Sequence, residues 1–207
     1  GSFQPMPLRV DGVEDLIDTQ VFYRIKDPTR HHGKDLIVLG DSLRLAGRMA
    51  EALAALDKAS ALQPDSPLPW LTRANSLFSA GRTDEAARGY ERVLQLSPEH
   101  SEALRGLGDI ALVRGDAQGA AGFYSRVLAS APRDAGAMVK LGVVRMRAGQ
   151  RDEALALFTK AIEIESANGE ALLYMAGAMA SAGRPADAIP YFDRAIAAGV
   201  RTPMLLT

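Results

Sequence analysis

The sequence predicts an all-α fold built from antiparallel helix pairs, and three observations carry the prediction. A 34-residue period recurs five times, a glycine column falls at the same place in every period, and the apolar residues follow helical rather than alternating spacing. The period is visible in AGRMAEAL at 46–53, AGRTDEAA at 80–87, RGDAQGAA at 114–121, AGQRDEAL at 148–155 and AGRPADAI at 182–189. Counting position 1 at Gly33, Pro67, Ser101, Ala135 and Gly169 gives five repeats in register, 33–66, 67–100, 101–134, 135–168 and 169–202.

The first helix of each repeat turns positions 4, 7, 8 and 11 inward: Leu36, Leu39, Gly40 and Leu43 in repeat one, Leu104, Leu107, Gly108 and Ala111 in repeat three. Position 8 is always small (Gly40, Ala74, Gly108, Gly142, Ala176), as two closely approaching helices require. Arg73 at position 7 and Arg145 at position 11 break the apolar pattern. Each is expected to bury its alkyl stem and send its guanidinium to solvent. Position 15 is glycine five times (Gly47, Gly81, Gly115, Gly149, Gly183), which marks the turn between the helices, where a left-handed backbone is needed.

The second helix carries Ala52, Ala86, Ala120, Ala154 and Ala188 at position 20. Leu56, Tyr90, Tyr124, Phe158 and Phe192 stand at position 24, and a small apolar residue at position 27, so one stripe is buried. Asp84-Glu85 and Asp152-Glu153 sit where the positive N-terminal end of this helix favours them. Pro64, Pro98 and Pro132 at position 32 stop it in three repeats; Ser166 and Val200 replace the proline later, so those two helix ends are expected to be less sharply set.

Residues 1–32 form an N-terminal extension. Val13, Leu16, Ile17, Val21 and Ile25 share one stripe, so residues 13–25 are expected to form a helix that caps repeat one; a place in the groove of this molecule or a neighbour is the alternative. Pro203 and Leu206 fall at positions 1 and 4 of a sixth repeat begun at 203–207. The Gly1-Ser2 start has the look of a cloning remnant, so a piece cut from a longer protein is expected, with homodimers through the exposed ends or the N-terminal segment as one consequence.

With 24 basic and 25 acidic residues, no global field favours nucleic acid or an anionic membrane surface. No run nears the roughly 18 apolar residues of a membrane span, so no membrane insertion is expected. The absence of cysteine excludes a disulfide framework, a thiolate metal site and a cysteine nucleophile, and leaves localisation open between cytoplasm and periplasm. Only five of the basic residues are lysine, which with abundant alanine points to a GC-rich bacterial genome.

The joint pattern of period, small, glycine, alanine and aromatic columns, with Trp70 at position 4 and proline at 32, resembles the tetratricopeptide repeat over residues 33–202. That resemblance implies a right-handed superhelical solenoid of antiparallel helix pairs whose inner wall, lined by first-helix positions 2, 5, 9, 12 and 13, binds a partner peptide. The candidate groove residues are Leu71, Asn75, Phe78, Arg105, Asp109, Leu112, Val139, Val143, Met146, Arg147 and Leu173. Their apolar members suit a hydrophobic extended segment or an amphipathic helix, unless tight curvature buries some of them against adjacent repeats. Asn75 stands where family members that hold extended peptides commonly place an asparagine. The lysine, asparagine and arginine clamp that one subfamily uses for a chaperone C-terminus is absent, with Leu71, Gly106, Gly136 and Lys140 at its positions.

Catalysis has little to work with. His31 and His32 are adjacent in a loop, His100 falls in an inter-repeat turn that is a surface position by default, and no phosphate-binding or dinucleotide-binding glycine signature occurs. No catalytic residue, metal site or cofactor is expected. Two functions follow: a peptide-binding adaptor, or a structural or self-assembly arm of a larger, potentially enzymatic protein.

Overall fold

The computed structural model describes residues 33–200, all of whose regular structure is helical. The chain divides into two compact units, one ending at Pro98 and the other beginning at Glu99. The first contains α1 (Gly33–Leu45), α2 (Met49–Leu62), α3 (Pro67–Ser79) and α4 (Thr83–Leu96). The second contains α5 (Ser101–Val113), α6 (Ala117–Ser130), α7 (Ala135–Arg147), α8 (Arg151–Ile164), α9 (Gly169–Ser181) and α10 (Pro185–Ala197). The expected helix at 13–25 and the start of a sixth repeat at 203–207 lie outside the described residues.

Each repeat is a hairpin closed by its glycine. Gly47, Gly81, Gly115, Gly149 and Gly183 have φ between 72 and 77°, the left-handed region that a β-carbon disfavours. The following amide reaches back five residues to position 11. Arg48 N donates to Leu43 O at 2.8 Å, and the same bond recurs from Arg82 to Leu77, Asp116 to Ala111, Gln150 to Arg145 and Arg184 to Met179. These bonds satisfy carbonyls that would otherwise be left open at the end of the first helix.

Helix pairs approach closely because position 8 carries almost no side chain. A β-carbon on Gly40 would lie 2.6 Å from Leu56 Cγ, one on Gly108 2.8 Å from Tyr124 Cε1, and one on Gly142 2.5 Å from Phe158 Cε1. The large residue at position 24 therefore fills the notch left at position 8 of its own repeat. Tyr124, Phe158 and Leu56 are wholly buried as a result, as are Ala52, Ala86, Ala120 and Ala154 at position 20. The core of each hairpin is this interlocked pair of columns.

The second helices end more uniformly than their prolines suggest. α2, α4 and α6 stop at position 30, and α8 stops there too at Ile164, although Ser166 replaces the proline. The shared closure is a bond from position 31 to position 27: Gln63 to Ala59, Ser97 to Val93, Ala131 to Val127 and Glu165 to Ala161. Since every position-27 residue here is fully buried, packing fixes this end and proline is not required. α10 stops one position sooner, at Ala197, with Gly199 at φ 85° beyond it.

The two misfit arginines behave as expected of long basic chains. Arg73 is largely covered and its Nε meets Asp57 Oδ1 at 2.5 Å, while Arg145 reaches Gln150 at 2.9 Å and Glu153 at 3.4 Å. The acidic first turns of the second helices have a further role. Arg48, Arg82 and Arg184, each just before a second helix, grip the acid three residues on, with Nε to Glu51, Glu85 and Asp187 at 2.6–2.7 Å. These hydrogen bonds hold the Glu51 and Glu85 carboxyls below the ordinary carboxylate range.

Candidate functional site

The first helices α1, α3, α5, α7 and α9 present positions 2, 5, 9, 12 and 13, and the structure separates these positions by depth. Position 5 is deep in three repeats, where Ile37, Leu71 and Val139 are 8, 5 and 1% exposed, but not at Arg105 and Leu173. Position 13 is open wherever it occurs, with Leu45 63% and Val113 67% exposed, and Arg147 exposed as well. Phe78, Arg105, Asp109, Leu112, Met146, Leu173 and Asn75 are half-buried.

Leu71, Val139 and Val143, expected on an open wall, are therefore buried. For Val139 and Val143 the reason is visible: they share a cluster with Phe158 from α8 and with Ala171 and Met175 from the next first helix, α9. Helix α9 closes over the edge of α7 and converts those positions to core. Leu112 and Met146 are packed at the margins of neighbouring clusters and keep part of their surface.

Position 9 carries a hydrogen bond that the pattern of single columns did not announce. Tyr90 Oη donates to Asn75 Oδ1 at 2.7 Å, and Tyr124 Oη donates to Asp109 Oδ1 at 2.7 Å. A carboxylate can only accept, so the direction of the Tyr124 bond is fixed by chemistry. Burial, and then the bond to Asp109, push the Tyr124 phenol far above its ordinary range. The signal lay in the joint occurrence of columns 9 and 24: repeats with tyrosine at 24 have Asn75 or Asp109 at 9, whereas Phe158 and Phe192 accompany Val143 and Gly177.

In the first unit an open cavity of about 640 Å³ lies between α1 and α3, lined by Ile37, Val38, Asp41, Arg44, Leu45, Thr72 and Asn75 among others. Arg44 and Asp41 are paired across one turn at 2.7 Å on its rim. Val38 and Thr72, at position 6, lie outside the wall expected from the sequence. The signal available was geometric, because 2, 6, 9 and 13 follow one helical stripe as well as 2, 5, 9 and 12 do.

In the second unit a separate cavity of about 600 Å³ is lined by Arg105, Pro132, Arg133, Asp134 and Glu165. Arg105 Nη1 meets Asp134 Oδ2 at 2.9 Å, and the other oxygen of Asp134 accepts from Ala137 N at 2.8 Å, capping α7. His100, expected at the surface, is half-buried, and its Nδ1 is shielded without a hydrogen-bond partner. Among the described residues no three or more histidine, cysteine or acidic residues are grouped to hold a metal ion, and no helix is long and apolar enough to cross a membrane.

Comparison with known proteins places these features in a family. Models of the tetratricopeptide repeat match residues 71–135 and 145–205, together more than half of the chain. Solved structures of similar fold include MamA, 24% identical with a TM-score of 0.67 over 77% of this chain and 94% of that one. Another is MamA 41-end from Desulfovibrio magneticus RS-1, 20% identical with a TM-score of 0.70 over 81% of this chain and 94% of that one. A third is YrrB, described as a TPR protein with an unusual peptide-binding site, 20% identical with a TM-score of 0.65 over 86% of this chain and 91% of that one.

Among curated proteins, ferredoxin–NADP reductase 2 of Cupriavidus pinatubonensis is 52% identical over 40 residues, and ferredoxin–NADP reductase of Polaromonas sp. is 50% identical over 40 residues. Each match takes in 19% of this chain and 11% of the relative, so the chain spans about a tenth of the length of the curated relatives it matches. The repeat columns, the hairpin geometry and the model matches agree, and the chain belongs to the tetratricopeptide repeat family.

Proposed function

We propose that this protein is a non-catalytic interaction scaffold that holds a partner peptide along its first helices. The observation that carries the reading is the open cavity between α1 and α3, where Asn75 is oriented by Tyr90 and flanked by the Asp41–Arg44 pair and the exposed Leu45. A backbone in that cavity would meet polar groups that fix its direction and apolar surface that takes its side chains. Phe78 on α3 supplies further contact surface in the first unit, and Arg105, Asp109, Leu112, Met146, Arg147 and Leu173 supply the first-helix contact surface of the second unit taken by itself. Leu71, Val139 and Val143 support that surface from behind. The likeness to YrrB and the repeat family favour a peptide over a small molecule.

The test is selection of displayed peptides on the wild-type protein, followed by titration of the selected sequences against Asn75→Ala and Phe78→Glu. Affinity is expected to fall at least tenfold in each variant. Peptides that bind both variants as tightly as wild type would overturn the assignment. The second reading is a structural or self-assembly arm of a larger protein, and the exposed Ile189 and Ile196 of α10 supply apolar surface for it.

A further inference from the structure

Within the second unit, three columns meet as large apolar side chains. Leu128 at position 28 of α6, Leu141 at position 7 of α7 and Leu157 at position 23 of α8 belong to one cluster. One repeat further on, Ile162, Met175 and Tyr191 hold the same positions and again belong to one cluster. In the first unit the equivalent residues are Ser60 on α2, Arg73 on α3 and Gly89 on α4. All three line a cavity of about 470 Å³, together with Asp57, Pro64, Trp70, Glu85 and Arg88. The space stands where the three large apolar side chains are missing. Trp70 is fixed at its edge: Nε1 donates to Pro64 O at 3.2 Å, and Arg92 lies over the ring at 5.9 Å while its Nη2 donates to the same carbonyl at 3.3 Å. On α3 the lining residues Trp70 and Arg73 face away from Thr72, Asn75 and Ser79, which line the first-helix cavity, so the two cavities lie on opposite sides of that helix.

The charge around this space is unbalanced. Asp57 is held by Arg73 at 2.5 Å and Glu85 by Arg82 at 2.6 Å, so both acids are already engaged. Arg92 bonds neutral oxygens, those of Pro64 and Gln95, and the exposed Arg88 has no ion pair among the described residues. The hydrogen bond from Arg82, then the charges of Arg82, Arg88 and Arg73, hold the Glu85 carboxyl low, as a positive surrounding does. We propose that this cavity is a second binding site, which takes an acidic segment of a partner polypeptide: one carboxylate pairs with Arg88, and the neighbouring aromatic or aliphatic side chain enters the space beside Trp70. A concave space with apolar walls and a few polar groups is the usual form of a ligand site, and the guanidinium fork matches a carboxylate. Asp57 and Glu85 oppose a ligand with many negative charges, so a polyanion fits poorly. One carboxylate beside one apolar group is what adjacent glutamate and phenylalanine or leucine residues of a polypeptide offer. The site acts independently of the first-helix cavity.

Trp70 is the chain's one tryptophan, so its emission reports on this site alone. The probes are acetylated, amidated peptides Ser-Gly-X-Glu-Gly-Ser, with phenylalanine, leucine or isoleucine at X, titrated into the whole chain. A saturable change in emission is expected from at least one of them. Binding should weaken at least tenfold in Arg88→Glu, whose side chain is exposed so that helical circular dichroism is expected to be kept. It should weaken as much in Ser60→Leu, which supplies the side chain that Leu128 provides in the second unit, and as much again when lysine replaces the glutamate of the peptide. Raised ionic strength should also weaken it, because Arg88 is exposed. Binding should persist in Phe78→Glu, which separates this site from the first-helix cavity. No saturable change with any of the peptides, equal binding by Arg88→Glu or by the lysine peptide, or loss of binding in Phe78→Glu would each overturn the proposal. So would binding of 3-phenylpropionate as tight as that of the best peptide, because a free aromatic carboxylate would then be the occupant.

Discussion

The Tyr124 hydroxyl donates to Asp109 Oδ1 at 2.7 Å and ties the two helices of the third repeat together through a charged acceptor. Hydrogen bonds to charged groups contribute about 1.5–3 kcal/mol, more than neutral ones. Tyr124→Phe should therefore lower unfolding stability by about 1–2 kcal/mol, since Asp109 is half-buried and regains part of its solvation from water. Urea denaturation at neutral pH measures this. A loss below a few tenths of a kcal/mol would show that the bond has no net worth.

The same pair sets a pH dependence whose sign is fixed. Burial and Asp109 raise the Tyr124 phenol above its unfolded value, so its contribution is fully present below the unfolded tyrosine pKa of about 10 and is lost as pH rises further. Wild-type stability should fall more steeply above that pH than the stability of Tyr124→Phe. At the acid end, Glu51 and Glu85 are held low by Arg48 and Arg82, so their contribution is present above the unfolded carboxylate range and fades as pH drops through the folded values. Replacing both arginines by alanine should flatten that acid limb slightly, as these pairs are exposed.

Glycine-to-alanine substitutions should change sign with position. Gly122 lies inside α6 with nothing within 4 Å of an added β-carbon, so Gly122→Ala should stabilise by close to the helix-propensity difference of about 1 kcal/mol. At Gly142 the same methyl would sit 2.5 Å from the Phe158 ring, and overpacking costs of about 1–3 kcal/mol outweigh the propensity gain. Thermal melts of the two variants should move in opposite directions.

Asp134 joins two contacts that mutation can separate. Asp134→Ala removes the cap on α7 and the partner of Arg105, for an expected loss of about 1–2 kcal/mol. Arg105→Ala removes only an ion pair whose arginine is 43% exposed, for an expected loss of under about 1 kcal/mol. Denaturant midpoints of the two variants should rank in that order; equal losses would show that the cap contributes nothing.

The hairpins were legible in the sequence because each depends on columns within one repeat. Glycine at position 15 and the small residue at position 8 answer local steric demands, which every copy meets in the same way. The wall was legible only in part. Whether Val139 and Val143 face a partner or the core depends on how closely α9 approaches α7, and that distance is set by Ala171 and Met175 a full repeat away. The bond from Tyr90 to Asn75 was likewise hidden, because a column-by-column reading treats position 24 as packing and position 9 as surface. Only the pairing of the two columns shows one supporting the other.

Every hairpin turn closes on atoms of its own repeat, from the amide of position 16 to the carbonyl of position 11. The protein's length is in that sense quantised: gain or loss of a whole 34-residue module preserves each turn and each notch-filling ring, while a change of one or two residues inside a module misaligns both. A gene encoding such a chain can lengthen or shorten by recombination between its own copies and still specify helices that know where to bend.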